Sequence, residues 1–532
     1  MIIIRYLLYG IAGLIAAGFA LHLLFPLPAL EPRTRSSAIS ARNNGPLAHG
    51  AGRLAADHPG LSGVHLLNDG RSAFAARIAL ARSAAHTLDV QYYIWKGDLS
   101  GSLLLDELRA AAARGVRVRL LLDDNGIAGL DEPLAVFDRQ PNAEVRIYNP
   151  FTIRKPKPIG YLADFPRLNR RMHNKSFTAD GVATVIGGRN VGDEYFAARD
   201  DGLFADLDLL AIGPAAADVE RQFDTYWNSA SAYPAERILP HVPPQRIAAI
   251  SGAAEVAARN PQAQAYLQAV EQLPIVEQLK SATLEFEWAR VTMVSDDPGK
   301  TLGRAKKDQT LWARLTQALG VPRHSLDLVS GYFVPTAAGV ATLGRLAREG
   351  KEVRVLTNAF ESTDVGIVHS GYAGRRKALL EAGVKLFEMR SAATANDMPG
   401  TRMLGSGSGS GSSTGVGPVL RSSASMLHAK TFAVDGQRIF VGSFNFDPRS
   451  MHLNTELGFL IDSPTLAQNM ARAFAEQVPA RSYQVMLTPT GSLQWIEHRN
   501  GEIVHHDIEP GTSWHTRTAT RLLSHLPIEW LL

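Results

Sequence analysis

The sequence predicts an α/β protein made of two like halves related by a pseudo-twofold axis and carried on an N-terminal transmembrane helix. Three observations predict it. Strand–helix–strand segments recur in the two halves of the chain, a His-x-Lys-x4-Asp triplet falls at the same place in each copy, and the chain begins with a charge-free apolar stretch.

The first copy holds HTLDVQYYIW (His86 to Trp95), a helical pattern and RGVRVRLLLDD (Arg114 to Asp124). The second holds HSLDLVSGYF (His324 to Phe333), a helical pattern and EGKEVRVLTNA (Glu349 to Ala359). The β-branched and Leu-rich runs are too short for helices, and LLLDELRAAAARG ends on a Gly stop signal. Strands alternating with helices imply a sheet covered by helices on its faces. Both copies continue to a third block, RMHNKSFTADGVATVIGGRN (Arg171 to Asn190) and MLHAKTFAVDGQRIFVGSFN (Met426 to Asn445), where an Asp-Gly turn between apolar runs marks a hairpin. A flexible loop, Gly405 to Gly417, precedes the second motif. Its glycines lack the strand-to-helix setting of a dinucleotide site.

From Tyr6 to Phe25 there is no Asp, Glu, Lys or Arg, and about 20 apolar residues are what a helix needs to cross a bilayer. Residues 1–27 are therefore expected to be an anchor, a cleaved signal sequence being the alternative. Arg33, Arg35 and Arg42 follow it and only Arg5 precedes it, which leans towards a cytoplasmic catalytic region without fixing the side. The expected divisions are a linker at 28–60, the first half at 61–240, a helical connector at 241–285, the second half at 286–480 and a tail at 481–532. Its last part, Trp514 to Leu532, is rich in Leu and Trp and suits the membrane interface or a helix packed on the core.

The chain has 532 residues, 45% of them hydrophobic, and a formal net charge of +4. So mild a balance, with no basic tract, counts against a dedicated nucleic-acid binder. It has no cysteine, which excludes disulfides, thiolate metal sites and thiol nucleophiles.

The chemistry lies in His173, Lys175 and Asp180, and in His428, Lys430 and Asp435. On a strand, residues i and i+2 share a face, so each His and its Lys can face one cavity. Packing the halves about a twofold would bring both pairs to one pocket. There one imidazole can attack phosphorus while the other protonates the leaving alkoxide. The lysines, with Asn190 and Asn445, supply donors to the non-bridging oxygens, so no metal and no cofactor is called for. Lysine beside each histidine would repel a cation. A nucleophilic imidazole needs a carboxylate on its other nitrogen. Aligning FADLDLLAIG with NTELGFLID pairs Asp206 with Glu456 as the orienting carboxylates. Asp180 and Asp435 each precede Gly at a turn, which favours a structural role within the motif. Arg171, Arg189 and Arg449 flank the pocket in sequence and are candidates for phosphate or for solvated surface.

At these residues the sequence resembles the phospholipase D superfamily. LDVQYYIW, DFPRLNRRMHNKSF, GGRNVGDEYF, GSFNFDPRSMHLNTELG and the closing LPIEWLL are similar to the bacterial cardiolipin synthase C group. The resemblance covers roughly residues 60–532. It implies a duplicated phospholipase D-like α/β/α sandwich and a phosphatidyl-histidine on His173, with His428 as general acid and then base. It also implies phospholipid substrates at a bacterial inner membrane and cardiolipin made from phosphatidylglycerol with phosphatidylethanolamine as donor; no nucleic acid is expected, for want of a basic tract. A phospholipase D using water, a membrane-tethered nuclease and an inactive scaffold are the competing expectations; the need for a partner protein is not legible.

Overall fold

The computed structural model describes residues 2–39, 45–198, 204–363, 365–391, 426–499, 501–524, 526 and 528–532. The Gly405–Gly417 loop lies outside them. Twenty strands are described: β1 Ser62–Leu67, β2 Thr87–Ile94, β3 Arg117–Gly126, β4 Ala143–Tyr148, β5 Ser176–Ala179, β6 Ala183–Gly187, β7 Phe204–Ala205, β8 Asp208–Ile212 and β9 Ala232–Pro234, then β10 Glu287–Ser295, β11 Ser325–Ser330, β12 Glu352–Asn358, β13 Lys385–Met389, β14 Met426–Leu427, β15 Lys430–Val434, β16 Arg438–Gly442, β17 Leu457–Asp462, β18 Ser482–Leu487, β19 Leu493–Arg499 and β20 Glu502–His506.

All but β7 and β14 join one mixed sheet. Its spatial order is β9-β4-β3-β2-β5-β6-β8-β1 and then β10-β17-β16-β15-β11-β12-β13-β18-β19-β20. Outward from the antiparallel β1–β10 seam, each side repeats the same succession of strands until β9 and β18. In both arms the strand–helix–strand repeat supplies the parallel pairs, β2–β3 and β11–β12. Each pair is pinned by the same ion pair, Asp89 with Arg119 and Asp327 with Arg354. The intervening helices, Leu99–Ala113 and Thr336–Arg348, stop before Gly115 and Gly350, whose φ angles of 95° and 84° no longer fit a right-handed helix.

The connector folds as three helices, Pro244–Ala258, Pro261–Glu271 and Pro274–Ser281, each opening on proline, which needs no N–H partner there. They pack on first-half helices Gly70–Ser83 and Leu99–Ala113.

Two expectations about the ends are corrected. Residues after 480 are not merely a tail: β18 pairs with β13 and leads into β19 and β20, while helix Trp514–Ser524 packs on helix Gly366–Ala373, one of the two expectations for that stretch. The composition suggested a linker at 28–60, but much of it is held against the first half. Arg33 donates to the carbonyls of Asn228, Ser229 and Ala232 at 2.7–2.8 Å, Trp227 Nε1 donates to Ser36 Oγ at 2.9 Å, and Ala38 N–H donates to Asp224 at 2.7 Å. The stretch also holds helix Pro46–Ala55, so its composition signals neither the lack of a regular element nor the lack of partners.

The N-terminal helix runs Ile2–Leu24 and rests on helix Gly160–Leu168, which is kinked at Asp164 (φ −153°, ψ 57°) just before Pro166. Taken over the described residues, no helix is long and apolar enough to cross a membrane.

Candidate active site

Both motif histidines lie where the two arms meet. Neither His-x-Lys segment is a regular ladder strand through the histidine: β5 begins at Ser176, and β14 ends at Leu427 just before His428. The reason is that these backbones bond across to the other half. His173 N–H donates to the Thr455 carbonyl at 2.8 Å, and His428 N–H donates to the Ala205 carbonyl at 2.8 Å. Thr455 and Ala205 immediately precede the two carboxylates singled out in the sequence.

Those carboxylates are consequently crossed between halves. His173 Nδ1 meets Glu456 at 2.8 Å, and His428 Nδ1 meets Asp206 at 2.5 Å. All four side chains are buried. Lys175 Nζ donates to the His173 carbonyl at 2.7 Å, and Lys430 Nζ donates to that of His428. Edge-on aromatic rings pack around the imidazoles, Tyr93 against His173 and Tyr195 and Tyr332 against His428.

The two carboxylates sit in unlike surroundings. Glu456 accepts from the hydroxyls of Ser443 and Ser450, yet burial pushes it up to about 7. Asp206 is also buried, but the neighbouring His428, Lys430 and Arg189 hold it below the usual carboxylate range. At the place of Ser443 the first half has Gly188, where a Cβ would come within 2.1 Å of Asp206 Oδ1. The small residue after each β-strand glycine is thus set by the carboxylate lying over it. Burial, and then the lysine charges, keep both imidazoles neutral, His173 well below its ordinary value and His428 at about 3. Burial likewise brings Lys175 down to about 7, against the pull of Glu456. Lys430 contributes to the depression of His173, and Lys175 to that of His428. Each half therefore feels the charge of the other.

The remaining candidates divide. Asn190 is buried beside the site, with Nδ2 on Tyr195 Oη at 3.0 Å and Oδ1 accepting from Ile94 N–H. Asn445 is equally buried, and its Oδ1 has no partner among the described residues. Asp180 and Asp435 leave the site altogether, and they do not bond their own turns. Asp180, in the left-handed region at φ 54°, accepts from Ala85, His86 and Thr87 N–H at 2.8–2.9 Å; Asp435, at φ 56°, accepts from Arg323, His324 and Ser325. Each ties its hairpin to the start of the neighbouring strand. Asp180→Ala should therefore cost about 3 kcal/mol, at about 1 kcal/mol for each lost hydrogen bond. Thermal unfolding would register that loss, while turnover of the folded fraction should stay unchanged. The three arginines are also engaged by protein. Arg171 pairs with Asp123, Arg189 donates to the carbonyls of Leu67, Asn68 and Asp206, and Arg449 donates to Asn169 and Leu531.

Sequence reasoning missed the residues that hold these groups in place. Asp123 accepts from Met172 N–H at 2.8 Å, and Asn358 Oδ1 accepts from Leu427 N–H at 2.9 Å. Each fixes the residue before a motif histidine, and the two occupy matching ends of β3 and β12. Their signal was the shared Asp/Asn in LLLDD and VLTNA. Asp296, which accepts from Glu456 N–H at 2.9 Å and pairs with Lys300, carried no such signal.

A repeated sheet with two His-Lys segments and carboxylates crossed between its arms defines a phospholipase D-type protein. The family model described as "Cardiolipin synthase, PLD-like domain" matches residues 78–227 and 315–478, and the chain belongs to that family. It is 46% identical over 480 residues to cardiolipin synthase C of Escherichia coli, covering 90% of this chain and 98% of that one. To the major cardiolipin synthase of Bacillus subtilis it is 25% identical, covering 78% of this chain and 68% of that one. Among solved structures it is similar in fold to phosphatidylserine synthase of Haemophilus influenzae, with a TM-score of 0.55 at 14% identity over 91% of this chain and 99% of that one.

Proposed function

We propose that this protein is a membrane-bound phosphatidyltransferase that makes cardiolipin from phosphatidylglycerol, with phosphatidylethanolamine as phosphatidyl donor. The observation that carries the chemistry is the crossed pair of imidazole–carboxylate contacts. Each occupies Nδ1, leaving Nε2 for phosphorus or for a proton. His173 Nε2 attacks the donor phosphorus as the bond to the ethanolamine oxygen breaks, and His428 gives that oxygen its proton. A hydroxyl of phosphatidylglycerol then loses its proton to His428 and attacks the same phosphorus, and the His173–phosphorus bond breaks. Lys175 and Lys430, with Asn445 as a further donor, face the charge on the non-bridging oxygens. An arriving phosphodiester anion offsets the lysine charges that depress His428, so the acid can carry its proton when substrate is present.

The anchor belongs to this reading. Counted over all its 23 residues, the first helix spans about 35 Å at about 1.5 Å per residue, with Arg5 its only Lys, Arg, Asp or Glu. It would hold the enzyme at a bacterial inner membrane, where both lipids reside.

Assay of labelled phosphatidylglycerol in detergent micelles, with and without phosphatidylethanolamine, tests the reaction. Cardiolipin that rises with phosphatidylethanolamine supports it; phosphatidic acid alone would mean that water is the acceptor. The pH profile is a second expectation. Glu456 must be ionised to hold His173 and Lys175 charged to meet phosphate, and both titrate at about 7. kcat/KM should therefore be bell-shaped with its maximum near neutrality. Ser450→Ala removes a hydrogen bond that stabilises the Glu456 carboxylate. It should move the acid limb to higher pH, by about half to one pH unit.

A further inference from the structure

We infer that helix Gly160–Leu168 is the part of the catalytic body that dips into the lipid surface, forming the lip over which a lipid headgroup reaches His173. The inference rests on the anchor reading above and adds a second, monotopic contact with a bilayer.

The N-terminal helix meets this helix at Gly18, where a Cβ would come within 2.5 Å of the Leu162 carbonyl oxygen. Only glycine permits that approach. Gly18 lies six residues before Leu24, so at about 1.5 Å per residue the contact is about 9 Å inside the end of the anchor. Interfacial helices lie at about 5–10 Å depth, at the boundary of headgroups and acyl chains. The anchor is not free to lift away, because Arg237 donates to the carbonyls of Ala29 and Pro32, and Arg33 is held as described.

The outward side of the Gly160–Leu168 segment is apolar, as that depth requires. Ile159, Leu162 and Phe165 are 37%, 55% and 42% exposed. A neighbour joins them: Arg449 bonds both Asn169, the C-cap of this helix, and the Leu531 carbonyl. Trp530, the residue before Leu531, is exposed, and tryptophan favours the membrane–water boundary. The inward side leads to the imidazole. Tyr161 Oη donates to Asn125 at 3.0 Å, Asn125 Nδ2 donates to Tyr93 Oη at 3.0 Å, and the Tyr93 ring is 5.1 Å from that of His173. His173 is five residues beyond Leu168, a reach of about 17 Å at most. A phosphodiester therefore need rise only about that far from its own leaflet.

The chain has no cysteine, so single cysteines can be labelled in the full-length protein. Leu14→Cys, Phe165→Cys and, in the exposed connection before β11, Val321→Cys would each carry a fluorophore. The labelled proteins would be placed in vesicles of phosphatidylglycerol and phosphatidylethanolamine containing lipids brominated along the acyl chains. Quenching at 14 and 165 but not at 321 is expected. Quenching at 14 without quenching at 165 overturns the inference and leaves the anchor standing; no quenching at 14 removes both. None of these readings depends on which lipid is the product, so failure of the transferase reading is seen separately. In a second measurement, the Leu162→Asp/Phe165→Asp double variant should consume vesicle lipid at least tenfold more slowly. Its rate on short-chain phosphatidylglycerol and phosphatidylethanolamine together, both below their micelle concentrations, should stay within twofold. Equal losses on both substrates would show a structural role and overturn the proposal.

Discussion

His173→Ala is expected to abolish turnover, with kcat lower by about 10⁴-fold or more, because the covalent half-reaction loses its nucleophile. Labelled phosphatidyl group should no longer be trapped on the protein after quenching in denaturing detergent without acid, which would itself cleave a histidine–phosphorus bond. His428→Ala should behave differently. Without the general acid the first step slows by about 10²–10⁴-fold with an ordinary alkoxide leaving group. A donor carrying a good leaving group needs no such proton, so label should then accumulate on His173, because nothing activates the acceptor hydroxyl. Label that persists in His173→Ala and disappears in His428→Ala would exchange the two roles.

The second large effect concerns the crossed carboxylates. Glu456→Gln keeps the size of the side chain but can donate to Nδ1, which stabilises the wrong imidazole tautomer. The comparable exchange in a serine-protease triad lowers kcat by about 10⁴-fold, and a loss of that order is expected here. Asp206→Asn should cost about as much, through His428. The pairing makes a sharper statement than either loss. Because His428 works with the carboxylate of the first half, His428→Ala and Asp206→Asn together should be no worse than His428→Ala alone. His428→Ala and Glu456→Gln should compound, because Glu456 acts through His173. Steady-state rates of the four variants and two doubles would check this; compounding in the first pair and not in the second would reverse the assignment of partners.

Much of this was legible in the sequence because duplication wrote it twice. The strands around each motif, the helix stops at glycine and the alignment of Asp206 with Glu456 all came from comparing one half with the other. That comparison could not say that each carboxylate serves the opposite half, since alignment carries no information about how the copies face each other. It also encouraged too generous a view of charge. Arg171, Arg189 and Arg449 looked available for phosphate or for solvent, yet the first two are buried and the third half-buried, and backbone carbonyls, Asp123 and Asn169 supply the acceptors such guanidinium groups need. Asp180 shows the same limit. Its turn was evident, but the three N–H groups it receives come from 93–95 residues away in sequence. The segment after 480 failed for a plainer reason, since short strands that complete a distant sheet edge carry little periodicity of their own.

The crossing of imidazole and carboxylate between the two arms also bears on when the site becomes reactive. During synthesis the first motif leaves the ribosome some 280 residues ahead of Glu456. Until the second arm has folded against the first, His173 has no partner to fix its tautomer, and the backbone contact through Thr455 does not exist. An unfinished or half-assembled chain can thus sit beside phospholipid without attacking it. Reactivity arrives only with completed assembly, which makes docking of the arms a built-in safeguard as well as a structural event.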